Sequence, residues 1–156
     1  PALELDDGTI ICESIAICRY FEALQPDPPL FGQGAREIAL VEMWQRRIEM
    51  HLLLGIAQVF RHLHPGMREH EVPQVPAWGE ANKPRVIEFL ALLDRELAGR
   101  RFAAGDRFSV ADITGLIAVD FLKPAKLQVP PEFTHVGRWH AELSARPSAA
   151  ATRWLH

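Results

Sequence analysis

Apolar residues recur at every third or fourth position through most of the chain after Gly34, and this spacing predicts helices. The longest repeat runs from about Ala35 to Leu63, so we expect one long helix there. Its apolar stripe consists of Ile38, Val41, Trp44, Ile48, Leu52, Ile56, Val59 and Leu63. A stripe of this length predicts a helix that lies against a hydrophobic core.

Two further helices follow from the same spacing. One ends before Gly99, and Pro84 either begins it or kinks a longer helix that starts near Ala77. We favour the kinked helix. The other runs from about Phe133 to Ser144.

The stretch Val110–Val119 is apolar or small on almost every side, which is typical of a helix in the middle of a bundle. Ser109 precedes it as an N-cap, and Asp112 three residues later completes a variant of the capping box. We therefore interpret it as a structural central helix without site chemistry. Its expected core residues are Ile113, Leu116 and Ile117.

The first 24 residues follow a different pattern. Alternation in Ala2–Leu5 and the apolar run Thr9–Cys12 predict two strands, and the Asp-Asp-Gly between them is a hairpin turn signal. A helix should follow, from about Ile15 to Leu24. Two strands and one helix are too few for an independent domain, so this segment is predicted to be the second half of a larger α/β unit. The predicted divisions are this segment at 1–24, a proline-rich linker at 25–33 and an all-helical domain at 34–156.

Composition narrows the class of protein. The chain has 156 residues, of which 48% are hydrophobic and 24% charged, as in soluble globular proteins. Its net charge of -3 argues against nucleic-acid binding, and no apolar run approaches membrane-spanning length. Cys12 and Cys18 are too few for a disulfide framework, and no signal peptide opens the chain, so we expect buried, inert thiols and a cytoplasmic location. We interpret His62, His64 and His70 as loop histidines and expect no metal site, because no compact set of further ligands accompanies them.

Glu13 and Ser14 stand where the first helix should begin. The free N–H groups of a helix start, with the Ser14 hydroxyl, are suited to hold a carboxylate, and Glu13 can bind a neighbouring ammonium. The pair therefore suits an amino-acid head group. The alternative is an ordinary helix cap with an acidic neighbour, which spacing alone favours.

A series of short motifs occurs along nearly the whole chain. They are Pro1-Ala2-Leu3, Asp6-Asp7-Gly8, Glu13 to Ile17 with Tyr20, Pro29-Leu30-Phe31-Gly32, the segment from Gly105 to Asp112, Trp139, and Arg146-Pro147-Ser148. Each is weak alone, but in this order and spacing they resemble the glutathione transferase family of bacterial, cytosolic type. The family's first strand–helix–strand–helix half has no counterpart in this chain.

The resemblance implies a mainly α fold, in which an all-helical C-terminal bundle follows the ββα second half of a thioredoxin-like domain. It implies a glutathione transferase in which Glu13 and Ser14 bind glutathione and Pro1 takes the place of the family's cis-proline. The family's thiol-activating residue lies in the half that has no counterpart, so the catalytic residue is expected upstream of Pro1. Partners implied are glutathione as co-substrate, a small hydrophobic electrophile and a second copy of the chain in a homodimer.

Met43, Arg47, Met50 and Leu54 form a second face of the long helix. They are candidates for an electrophile pocket, because methionine side chains adapt to varied apolar shapes. Equally, this face can pack on the small domain or on another subunit. For the chain as a whole, the alternative to an enzyme is a non-catalytic protein-interaction module built on the same fold.

Overall fold

The computed structural model describes residues 1–150, so the last six residues of the predicted helical domain lie outside the described part. The elements in chain order are β1 (Ala2–Glu4), β2 (Ile10–Cys12), α1 (Ser14–Leu24), α2 (Gly34–Arg47), a π-helical segment (Ile48–Leu53), α3 (Leu54–Leu63), a 3₁₀ turn (Pro65–Met67), α4 (Pro76–Leu97), α5 (Val110–Phe121), α6 (Thr134–Ser144) and α7 (Pro147–Ala150). The fold is the mainly helical one expected, and no helix among the described residues is long and apolar enough to span a membrane.

The predicted hairpin forms, with β1 and β2 antiparallel and Leu3 opposite Ile11. Its turn is closed by the Thr9 N–H, which donates to Asp7 Oδ1 at 2.9 Å. That hydrogen bond lowers the pKa of Asp7. The hairpin and α1 lie on the outside of the molecule, and α1 contains no buried residue.

The linker joins this small unit to the bundle through its backbone. Leu30 and Phe31 N–H groups donate to the carboxylate of Glu22 on α1, at 2.8 and 3.0 Å. The Leu30 carbonyl accepts from the N–H of Val110 at 2.9 Å. Phe31 is buried in a small cluster with Val41 and Val110, so the linker is anchored on both sides.

The predicted long helix is continuous in its path but contains the π-helical segment in its middle. Apolar residues at four-residue steps would drift around an α-helix by about 40° at each step. The wider π turn allows Trp44, Ile48, Leu52 and Ile56 to stay on one face, and all four are buried. Ile38, one turn before the core begins, is 42% exposed, which corrects its place in the stripe.

Helix α4 continues through Pro84, as favoured from the sequence. It packs along α3, and its buried face contributes Val86, Phe89, Leu90, Leu93 and Leu97 to the main core.

Helix α5 is central, but the prediction for two of its core residues was wrong. Leu116 is buried, whereas Ile113 is 39% exposed and Ile117 42% exposed. Helix α5 packs against α2, the π-helical segment and α6. The two isoleucines are four residues apart on one face, and no other described element buries that face.

The capping box at the start of α5 is part of a larger buried centre. Asp112 is fully buried. Its Oδ2 accepts from the N–H and Oγ of Ser109 at 2.9 and 3.0 Å, and its Oδ1 accepts from the Ala103 N–H and from Trp139 Nε1, both at 2.8 Å. Burial raises the pKa of Asp112, and the four hydrogen bonds oppose this shift. Gly115 accommodates the Trp139 ring, because a Cβ at Gly115 would lie 2.3 Å from Cη2 of that ring.

Candidate functional site

The turn from β2 into α1 consists of one residue, Glu13. Its φ of 71° and ψ of 123° lie in a region that residues with a Cβ rarely adopt. Because Cys12 still belongs to the strand and Ser14 already belongs to the helix, this conformation achieves the whole change of direction. It leaves both Glu13 and Ser14 exposed to solvent.

No side chain among the described residues caps the N-terminus of α1. The first N–H groups of a helix have no partner within it, so this end offers free donors and the positive end of the helix dipole. An exposed, uncapped helix start beside a carboxylate can accept an anionic group and a cationic group side by side.

Pro1 lies at the same end of the hairpin. Ala2 pairs with Cys12 in an antiparallel register, so Pro1 and Glu13 are each one residue away from this pair. The three residues that the sequence analysis assigned to glutathione therefore lie at the same end of the hairpin, and Glu13 is the one of them that lines the cleft described next.

A cleft of about 360 Å³ separates the start of α1 from the long helix. Glu13, Ile15, Ala16 and Arg19 form one wall, and Glu42, Gln45, Arg46 and Glu49 form the other. Arg19 and Glu42 make an ion pair across it. Its remaining charged groups are two carboxylates and one guanidinium, a set that suits a zwitterion.

Gln45 lines this cleft and was not singled out by the sequence analysis. It is 1% exposed, and neither Nε2 nor Oε1 of its side chain has a hydrogen-bond partner among the described residues. Buried amides are nearly always paired, so this one requires an explanation. The signal in the sequence was a polar residue between Trp44 and Ile48, inside the apolar stripe.

The four candidates for the electrophile pocket do not form one surface. Met43 packs against the main core, and the Arg47 guanidinium lies 5.2 Å from the centroid of the Trp44 ring. Met50 and Leu54 are half-exposed and line a groove between the long helix and α4. None of the four lines the cleft beside Glu13.

The guanidinium of Arg100 stacks on the Trp44 ring as well, at 5.0 Å from its centroid. Burial and, second, the nearby charge of Arg47 lower the pKa of Arg100. Arg100 also forms an ion pair with Glu96, which holds it in place beside the core.

Two predictions about cysteine and histidine need correction. Cys12 and Cys18 are exposed rather than buried, because no described layer covers the outer faces of the hairpin and α1. His62 is not in a loop; it lies on α3, is buried, and its Nδ1 accepts from the Val75 N–H at 3.0 Å. His64 follows α3, and its Nδ1 accepts from the Gly66 N–H. Within residues 1–150, no three His, Cys, Asp or Glu side chains are grouped so that they could hold a metal ion.

The fold consists of a hairpin and a helix followed by a helical bundle, and the uncapped start of the first helix faces the bundle. Comparison with known proteins identifies the family that has this fold. The model of the glutathione S-transferase C-terminal domain matches residues 77–147, and that of the N-terminal domain matches residues 1–29. Glutathione S-transferase 2 of Saccharomyces cerevisiae is 38% identical over 149 residues, which are 95% of this chain and 64% of that protein. The crystal structure of Gtt2 from Saccharomyces cerevisiae superimposes with a TM-score of 0.92 at 37% identity, over 97% of this chain and 73% of that one.

The chain belongs to the glutathione S-transferase family. It spans 64% of the length of the curated yeast relative. A more distant relative, Elongation factor 1-gamma 2 of Oryza sativa, is 29% identical over 95% of this chain but over only 34% of its own length.

Proposed function

We propose that this chain is the larger part of a glutathione-dependent transferase. The thiolate of glutathione attacks an electrophilic carbon, forms a carbon–sulfur bond and displaces the leaving group with its electron pair, or takes part in a related thiol-dependent reduction. Thiolate rather than thiol is the nucleophile. The residue that activates it is proposed to lie upstream of Pro1.

The observation that carries the proposal is the uncapped start of α1, with Glu13 beside it and Pro1 at the same end of the hairpin. The α-carboxylate of the γ-glutamyl group would accept from the free N–H groups and the Ser14 hydroxyl, and Glu13 would bind its ammonium. In this role the chain binds and orients the tripeptide, so that its sulfur points away from the cleft toward the thiol-activating group.

The test is calorimetric titration of glutathione into the protein with the residues encoded upstream of Pro1 included. Glu13→Gln removes the charge of that side chain, and Ser14→Ala removes the hydroxyl. Each should weaken binding by about tenfold or more, since hydrogen bonds to charged groups contribute about 1.5–3 kcal/mol. Glu80→Gln, an exposed glutamate on α4 that pairs with Lys83, is the matched control and should leave affinity unchanged. Unaltered affinity in both site variants would contradict the proposal.

For the electrophile we propose the groove that contains Met50 and Leu54. Met43 packs against the core and the Arg47 guanidinium lies over the Trp44 ring, so neither belongs to this groove. Replacing both Met50 and Leu54 with serine should raise the KM for an aromatic electrophile and leave the affinity for glutathione unchanged. An unchanged KM would remove this surface from the proposal. We also propose a homodimer in the cytoplasm; the two unpaired cysteines fit a reducing compartment.

The second candidate function is a non-catalytic interaction module. The match to an elongation factor supports it, because there the same stretch corresponds to only 34% of a longer protein. The glutathione titration separates the two candidates: a module without this activity has no need of the Glu13 and Ser14 contacts and should not bind the tripeptide.

A further inference from the structure

Gln45 presents a buried carboxamide whose donor and acceptor are both unused. It is 1% exposed, and neither of its polar side-chain atoms has a partner within residues 1–150. Trp44 Nε1 and Arg146 Nε share this lack of a partner, but neither residue lines the cleft beside Glu13. Gln45 does line it, from the wall opposite the start of α1.

Such a group is unfavourable in a protein that has no use for it, because burial removes its water without replacing the hydrogen bonds. An apolar residue would suit this position in the stripe between Trp44 and Ile48 better. The fold therefore carries a cost that a ligand in the cleft would remove.

We propose that Gln45 is a further binding residue of this site and recognises the amino-acid head group of the bound thiol. Its Oε1 accepts from the α-ammonium, and its Nε2 donates to the α-carboxylate. The proposal rests on the proposed function, to which it adds one binding residue.

The charges around Gln45 agree with this assignment. Arg19 and Glu42 neutralise each other, which leaves Glu13 and Glu49 for a cation and Arg46 for an anion. A carboxamide placed among groups of both signs can interact with both ends of one zwitterion. The amide atoms of Gln45 are closed off from solvent, so contact with a ligand requires a rearrangement of the side chains that line the cleft.

The test is Gln45→Met, which keeps an unbranched side chain of similar volume and removes both polar atoms. Measured in the protein with its upstream residues included, Gln45→Met should bind glutathione about tenfold more weakly. Without ligand it should melt at the same or a higher temperature, because an unsatisfied buried amide is gone. A structural glutamine would behave in the opposite way, so a lower melting temperature with unchanged affinity would overturn the proposal.

Gln74→Met is the matched control. The Gln74 amide is satisfied, since its Nε2 donates to the carbonyls of Arg61 and His64 at 2.7 and 3.0 Å. This variant should lose stability and keep its affinity for glutathione. The comparison separates loss of a working internal hydrogen bond from loss of a ligand contact.

A second probe covers the case in which Gln45→Met perturbs the fold. The analogue glutaryl-cysteinyl-glycine is glutathione without the α-ammonium. The loss of affinity caused by Gln45→Met should be at least about threefold smaller for this analogue than for glutathione, because the contact to Oε1 is already absent. Equal losses for both probes would contradict the assignment. If the wild-type protein binds no glutathione, the proposed function itself fails; if it binds and Gln45→Met binds equally well, only the role of Gln45 fails.

Discussion

Asp112→Ala should destabilise the protein far more than the loss of a helix cap. The capping box alone predicts about 0.5–2 kcal/mol. In the structure the carboxylate also accepts from the Ala103 N–H and Trp139 Nε1, in a centre that water does not reach. Removing it leaves three buried N–H donors unpaired, those of Ala103, Ser109 and Trp139. At about 1 kcal/mol or more for each donor, we expect a loss of about 3–5 kcal/mol in the free energy of unfolding.

The assay is denaturant unfolding followed by tryptophan fluorescence, with Asp94→Ala as the control. Asp94 Oδ1 accepts from the backbone N–H groups of His135 and Val136 at 2.8 and 2.9 Å, and that site is only partly buried. Asp94→Ala should therefore cost an ordinary cap, about 1 kcal/mol. If the two variants lose equal stability, the additional donors around Asp112 do not matter and the reasoning is refuted.

The pKa of Asp112 adds a pH dependence whose sign is fixed. Burial raises this pKa in the folded protein, so the folded state binds the proton more tightly than the unfolded state. The stability that proton binding at Asp112 contributes is complete below the pKa of this group in the unfolded chain, about 4. It is lost as the pH rises through the pKa in the folded protein. Asp112→Asn lacks this titration. The free energy of unfolding of the wild type minus that of Asp112→Asn should thus rise as the pH falls from about 7 to about 4. A fall in this difference would show that the pKa is lowered instead.

Other predictions concern packing, the linker, activity and the hairpin. Gly115→Ala should cost about 1–3 kcal/mol because its Cβ would overlap the Trp139 ring, whereas Gly137→Ala, in open space on α6, should be neutral or stabilising in the same melts. Glu22→Ala should speed hydrogen exchange of the two linker amides that its carboxylate accepts from, and unchanged exchange would argue against this anchor. This chain alone should show little or no conjugating activity, and turnover of an aromatic electrophile well above the free-thiol background would contradict the proposed upstream residue. The hairpin of residues 2–12 should pair with another chain, in which case its amide protection falls on dilution; strong, concentration-independent protection would refute this.

Much of the fold was accessible from the sequence because it depends on local periodicity and capping. The helices follow the 3.6-residue repeat, the hairpin follows its Asp-Asp-Gly turn, and the buried centre at Asp112 was signalled by Ser109 three residues before it. The π-helical segment was not accessible, since steps of four residues are compatible with a slowly rotating α-helical stripe. The packing against α4 and α5 determines that the apolar residues at these four-residue steps all lie on one face.

Exposure was the other quantity that the sequence could not predict. Ile113 and Ile117 are the same type of residue as the isoleucines of the core. They are exposed because no neighbouring element among the described residues covers their face of the helix. The same holds for Cys12 and Cys18, which lie in apolar stretches but on the outside of the hairpin and α1. Amphipathic periodicity identifies a buried face reliably only where polar residues mark the opposite side.

For the candidate site, the decisive contrast is between two buried polar residues. Asp112 and Gln45 are equally inaccessible, and each interrupts an apolar helix face. Asp112 receives four hydrogen bonds from its own protein, so its role is complete within the fold. Gln45 receives none from the described residues. Burial alone does not distinguish a structural polar group from a binding group, whereas the presence or absence of hydrogen-bond partners does. At Gln45 the amide atoms without partners belong to the wall of the cleft that faces Glu13.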